Sequence, residues 1–223
     1  MRCFLVVTAT AAAIRLGRPT APRTFLRRQG QCTRRQKAAL RELWPHYGVD
    51  VAWNETLTFE GAGPCVLDVG FGHGERLASM AAARPDTRFI GVEVHRPGVA
   101  ATLLRLAEAD AKNVKICRID AGALLETHIA PEPCFDEVCV FFPDPWTKSG
   151  SNKDAPATGS SSKDEHRRII RPHTLDLLSA RLRPGGCLHV ATDVDEYAEH
   201  VRNVVASDAR WSACLLYTSP SPR

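Results

Sequence analysis

The chain has 223 residues, 44% hydrophobic and 24% charged, enough for one α/β domain with a sizeable core. No apolar run reaches the length of a membrane-spanning helix, so no membrane partner is expected. The net charge of +4 hides an asymmetry: the first 41 residues carry ten Arg or Lys and no acid, which leaves the rest at −6. A basic arm before a mildly acidic body suggests a targeting segment, a polyanion-binding arm, or both.

Residues 1–26 read as an appendage, with a weak apolar stretch behind Arg2 followed by Arg15, Arg18 and Arg23 among Thr and Pro. An Arg-rich, acid-free leader has the composition of a transit peptide, so an organelle matrix (mitochondrion or chloroplast) is expected, with cytoplasm as the alternative. A secretory signal competes but is diluted by Thr8 and Thr10, and an unprocessed disordered tail is a third reading. Residues 27–63 form a basic arm and a helix, which Thr33 caps with Gln36 in the capping-box position.

From residue 64 to 213, strand and helix alternate. Strands are expected over residues 64–70, 88–94, 114–119, 136–142 and 187–192. Helices are expected over 75–83, 98–111, 123–127, 167–182 and 196–206. The repeated βα pattern predicts a mostly parallel sheet with helices on both faces. Residues 149–163, rich in Ser, Gly and Lys, read as a flexible insert. None of the eight cysteines forms a Cys-x-x-Cys or lies near a His at ligand spacing, so neither a metal site nor a disulfide framework is expected.

Val66-Leu67-Asp68-Val69-Gly70-Phe71-Gly72-His73-Gly74 is a strand running into a glycine turn and a helix. Such turns let the backbone approach a ligand at the carboxyl ends of the strands. Glu93 ends the second strand, where an acid binds ribose hydroxyls, and Asp120-Ala121 after the third could flank an adenine. Two cofactor classes share this layout. An acid at Asp68 would repel a dinucleotide diphosphate and suits the cationic sulfonium and amino group of S-adenosylmethionine, which is favoured over NAD. Phe71 reads as packing, and His73 as a solvent-facing loop histidine.

Phe141-Phe142-Pro143-Asp144-Pro145-Trp146-Thr147-Lys148 sets one carboxylate between two prolines at the end of the fourth strand. The prolines push Phe142 and Asp144 toward extended geometry and hold the acid in one orientation. A rigid acid, a flat ring and a cation suggest a site for a flat, polar substrate. Trp146 either stacks on a base or packs beneath the loop.

Together these segments resemble the tRNA (guanine-N7-)-methyltransferase family in its bacterial-type form, over about residues 28–205. Leu67–Gly74 is similar to its cofactor loop, Gly91-Val92-Glu93-Val94-His95 to its ribose strand, and Phe141–Lys148 to its most specific motif. Ala191-Thr192-Asp193 and Tyr197-Ala198-Glu199 match a later stretch. The resemblance implies a Rossmann-like class I methyltransferase fold. It implies S-adenosylmethionine bound by Asp68, Gly70, Gly72, Glu93, Asp120, Ala121 and Asp144, with Asp144 as the active-site acid. Lys148 and Asp193 would contact tRNA, and no obligate accessory subunit is expected of a monomer or homodimer. RNA affinity would come from patches: Arg27, Arg28, Arg34, Arg35 and Lys37 in the arm, and Arg167, Arg168 and Arg171 after the insert. The insert departs from the compact basic run usual after the family motif. Residues 214–223 match nothing in the family and read as a non-native tail, so the C-terminal strands of the sheet are expected to be missing. The competing functions are a methyltransferase on another RNA or a small molecule, and an inactive tRNA-binding protein.

Overall fold

The computed structural model describes residues 2–9, 30–52, 55–59, 61–146 and 167–218. Lys148, Arg27, Arg28 and the insert lie outside them. In chain order the elements are β1 (Arg2–Ala9), α1 (Arg34–Glu42), α2 (Trp44–Tyr47), β2 (Gly48–Val49), β3 (Cys65–Val69), α3 (Glu75–Ala83) and β4 (Arg88–Val92). Next come α4 (Arg96–Glu108), β5 (Val114–Cys117), α5 (Ala121–Thr127), β6 (Phe135–Phe141), α6 (Pro172–Ser179), β7 (Leu182–Thr192), α7 (Asp195–Ala206) and β8 (Trp211–Thr218). The eight strands among the described residues form one sheet in the order β2-β5-β4-β3-β6-β7-β1-β8.

The stretch from β2 to β7 is parallel throughout. The chain leaves β3 toward β4 and β5, then returns to place β6 and β7 on its other side. The switch point therefore lies at β3, where open parallel sheets bind ligands. One face packs the helices α5, α6 and α7 through Leu124, Leu175, Leu178 and Val201; the other packs α3 and α4 through Leu77, Val99 and Leu103. The strands β3 and β6 are buried on both faces, as a helix-covered parallel sheet requires.

Thr33 caps α1 as its sequence predicts: its hydroxyl accepts from the Gln36 amide, and the Gln36 side chain accepts from the Thr33 amide. The Gln36 side chain also donates to the Pro97 carbonyl, which docks the start of α1 on the start of α4. The helix expected over residues 167–182 is shorter, because Pro172 keeps Arg171 extended and α6 begins only at the proline. The Arg183-Pro184-Gly185-Gly186 stop is instead a bulge within β7, where pairing with β6 shifts from Leu182 to Cys187.

Two segments near the ends of the described residues lie in the sheet. Residues 2–9, within the expected leader, form a strand antiparallel to both β7 and β8, with Leu5 opposite Val190 and Leu215. Its apolar, β-branched run suits a strand with neighbours on both sides, and the arginines behind it hid that pattern. Beyond β7 the sheet continues through β1 and β8, and β8 includes Cys214, Leu215, Leu216, Tyr217 and Thr218.

Because β1 is flanked on both sides, Val6→Pro removes a ladder hydrogen bond whichever neighbour it faced. This variant is expected to expose β8 to limited proteolysis near Leu215. A cleavage pattern identical to that of the wild type would contradict β1 as the strand that holds β8.

Candidate active site

The strands β3, β4 and β6 end level, and the loops leaving them enclose a cleft. It is lined by Gly70, Glu93, Asp120, Ala121, Phe142 and Asp144, with Val94, Ile119 and Ile169 among the apolar walls. The cleft and its solvent-open mouth together span about 670 Å³ of empty space.

The glycine loop is shaped by backbone that other residues adopt at a cost. Gly70, Gly72 and Gly74 all have positive φ (70°, 61° and 76°). At Gly98, on the first turn of α4, a β-carbon would meet the Gly72 carbonyl oxygen at 2.4 Å, so that glycine lets α4 approach the loop. The Phe71 ring lies against Gly91 of β4, which agrees with its reading as packing, and His73 is exposed.

Glu93 is tied into the loop. One carboxylate oxygen accepts from the Val94 and His95 amides (2.7 and 2.8 Å), the other from the Gly72 amide (3.0 Å). Gly72 thus meets the site through its amide rather than by lining the cleft. Asp120 caps α5 by accepting from the Ala123 amide at 3.1 Å, which sets both Asp120 and Ala121 at the cleft wall.

Asp68 departs from its expected place. It does not line the cleft; it is 1% exposed and paired with Arg76 of α3. Strand alternation is the cause: Asp68 shares a face of β3 with Val66, which packs in the α3–α4 cluster. Its second carboxylate oxygen is buried without a hydrogen bond. Arg76 also stacks on the Phe141 ring at 4.0 Å, joining Asp68 to the strand that carries Asp144. Sequence reasoning missed Arg76, since nothing local marks an arginine two residues past the glycine turn as a core ion pair.

The motif after β6 is not extended throughout. Phe142 and Trp146 both have positive φ (51° and 44°), a strain of about 1–3 kcal/mol each for non-glycine residues. The Phe142 amide donates to the Ala191 carbonyl of β7, the last rung of the β6–β7 ladder, where the chain turns despite the following proline. Asp144 lines the cleft beyond this bend, and the Arg167 guanidinium covers one face of the Trp146 ring at 3.7 Å. Arg168 is buried at 3% side-chain exposure, so it does not belong to an RNA-facing patch. Asp193 is exposed just past β7 and does not line the cleft.

Among the described residues, the cleft wall presents three carboxylates, Glu93, Asp120 and Asp144, and no Lys, Arg or His. This donor set fits a cationic cofactor with ribose hydroxyls, such as S-adenosylmethionine, and opposes a diphosphate. The buried thiols of Cys117 and Cys139, pushed up to about 12 by burial, act as small core groups rather than nucleophiles.

A family model described as "Putative methyltransferase" matches residues 62–219. The tRNA (guanine-N(7)-)-methyltransferase of Halorhodospira halophila is 44% identical over 200 residues, covering 88% of this chain and 80% of that protein. Proteins of the same name from Nitrosococcus oceani and Methylococcus capsulatus are each 39% identical, covering 83% and 91% of this chain and 74% and 87% of theirs. The chain belongs to the tRNA (guanine-N7-)-methyltransferase family. Its family match runs through β8, including residues first read as a foreign tail. These relatives are bacterial proteins, so the expectation of an organelle matrix is corrected: none of them points to an organelle. The leader that prompted it is in part strand β1.

Burial raises the Asp68 carboxyl to about 6; the charge and hydrogen bond of Arg76 oppose the rise, and Glu93 adds to it. Its unfolded value is about 3.9, so the folded state holds the proton more tightly. The resulting stability is fully present below about pH 4 and is lost as pH rises through about 6, a change of up to about 3 kcal/mol. Asp68→Asn is therefore expected to gain on the wild type by up to that amount between pH 4 and 7 in urea melts. Parallel pH curves would contradict an Asp68 with a raised folded pKa.

Proposed function

We propose that the chain transfers a methyl group from S-adenosylmethionine to N7 of a guanosine in tRNA, in the variable loop as the resemblance implies. The observation that carries this reading is Asp144 on the wall of the same cleft as Gly70, Glu93 and Asp120, in a chain of this family. The cofactor supplies an electrophilic methyl group on a sulfonium. Glu93 would hold its ribose, and Asp120 with Ala121 would flank its adenine. Asp68, beneath α3 and paired with Arg76, would act on the site through the β3 end rather than by direct contact.

Guanine N7 has a lone pair and no proton, so the reaction needs no base before transfer. Positive charge develops on the guanine ring as N7 is methylated. Asp144 would hold the base through its N–H groups and stabilise that charge, which a preset carboxylate in a narrow cleft does at little reorganisation cost. The rest of the rate comes from alignment, which the bent backbone between Phe142 and Trp146 supplies.

The RNA would lie across the outer surface. Arg34, Arg35 and Lys37 are exposed on α1, which docks beside the His95–Pro97 turn next to Glu93, although Arg35 already pairs with Glu108. The resemblance also assigns RNA contact to Lys148, outside the described residues, and to the exposed Asp193. An inactive tRNA-binding protein is disfavoured by the intact carboxylates Glu93, Asp120 and Asp144 on one cleft wall.

With bulk tRNA as substrate, the labelled nucleoside is expected to be 7-methylguanosine. Asp144→Ala is expected to cut the single-turnover rate by about 10²–10³-fold and leave cofactor affinity much less changed. Wild-type turnover in that variant would remove Asp144 from the mechanism, and label in any other nucleoside would overturn the reaction. Binding should also weaken with salt. Changing Arg34 and Lys37 to Gln should flatten the slope of log affinity against log salt by about 1–2, as read from filter binding at several salt concentrations.

A further inference from the structure

Arg168 carries a permanent charge, yet its side chain is only 3% exposed. Arginine is almost never buried to this degree unless it is paired. Its Nε donates to the Pro145 carbonyl (2.9 Å) and its Nη2 to the Trp146 carbonyl (3.1 Å) and to Oε1 of Glu196 on the first turn of α7 (2.8 Å). The two carbonyls belong to successive residues of the motif loop, immediately after Asp144. Arg168 itself does not line the cleft, whereas its neighbour Ile169 does.

We infer that Arg168 is a positioning residue for methyl transfer: it clamps the Pro145–Trp146 backbone to α7 and so fixes where Asp144 stands in the cleft. The role in transfer rests on the reaction proposed above; the clamp itself rests on these contacts.

Three features support the clamp. Trp146 has φ of 44°, a conformation that persists in a non-glycine residue only where its surroundings hold it there. A planar guanidinium reaches two neighbouring carbonyls and a carboxylate at once from fixed donors, which a single ammonium does not reproduce. The adjacent Arg167 grips the same residue differently, its guanidinium lying over the Trp146 ring. Residues 167–169 thus hold the loop by ring and backbone and then contribute Ile169 to the cleft wall. Glu196 stands three residues after Asp193, so Arg168 ties the motif loop to the second segment expected to meet the RNA.

The test uses the full chain labelled with 5-fluorotryptophan, the Trp146 resonance being assigned by Trp146→Phe among the four tryptophans. Arg168→Lys keeps the charge and loses the fork. It is expected to lower the single-turnover rate at saturating cofactor and tRNA by about 10–100-fold, the scale of a small misplacement of reacting groups. The S-adenosylmethionine Kd should stay within about twofold by calorimetry, and the Trp146 line should shift or broaden while the other three stay in place. An unmoved Trp146 line with a wild-type rate overturns the clamp. A defect confined to tRNA Kd, with the saturated rate intact, also overturns it and returns Arg168 to RNA contact. Should Arg168→Lys not fold, Glu196→Gln at a partly exposed position carries the same readings with a smaller expected loss. If the wild-type chain leaves tRNA unmethylated while the Trp146 line still moves in Arg168→Lys, the proposed reaction falls and the clamp stands.

Discussion

Parallel pairing at β3 is the constraint on which the site depends. Val69 lies opposite Val92 of β4 on one side and Val140 of β6 on the other, and the Gly70 amide continues the ladder to the Val92 carbonyl at 2.8 Å. Three strands therefore finish at one level, and whatever follows them meets in one place. A shift by one residue would turn every side chain of β3 to the opposite face and carry the glycine turn away from Glu93. The register is secured by two apolar clusters that read opposite faces of the same strand, Val66 on one side and Leu67 on the other.

The architecture was legible because parallel strands are buried on both faces and appear as short apolar runs between helical stretches. Gly70, Glu93, Asp120 and Asp144 were legible for a related reason: each follows a strand, and strands that finish level bring their successors together. Asp68 was not, because its orientation depends on the parity of a residue within a strand whose end had to be placed to within one position. Phe142 took a left-handed backbone against the local preference set by Pro143, while its amide still donates to the Ala191 carbonyl of β7. Arg168 looked like any surface arginine, and its burial is explained only by carbonyls 22 and 23 residues earlier and a carboxylate 28 residues later. Strand β1 escaped notice because its partners lie at the far end of the chain.

Charge is divided between the two sides of the site. The cleft wall is acidic, with Glu93, Asp120 and Asp144, while α1 presents Arg34, Arg35 and Lys37 to solvent. A polyanion would be drawn to the outer surface and repelled from the cleft, except where a base is turned inward. The docking of α1 on α4 through Gln36 and Pro97 fixes how far apart those two regions stand. Arginine serves both regions as scaffold as well: Arg76 beneath the glycine loop and Arg168 behind the motif loop face inward, and neither lines the cleft.

Strand β1 has a consequence for how the molecule is made. Leu5 leaves the ribosome long before Val190 and Leu215, the residues it pairs with. Throughout synthesis of the parallel core, β1 must wait without its neighbours, since β7 and β8 are the last strands to be made. Contacts of such long sequence separation form late and slowly. The nascent chain therefore passes through an interval in which β1 is open to chaperone capture or to pairing with another copy.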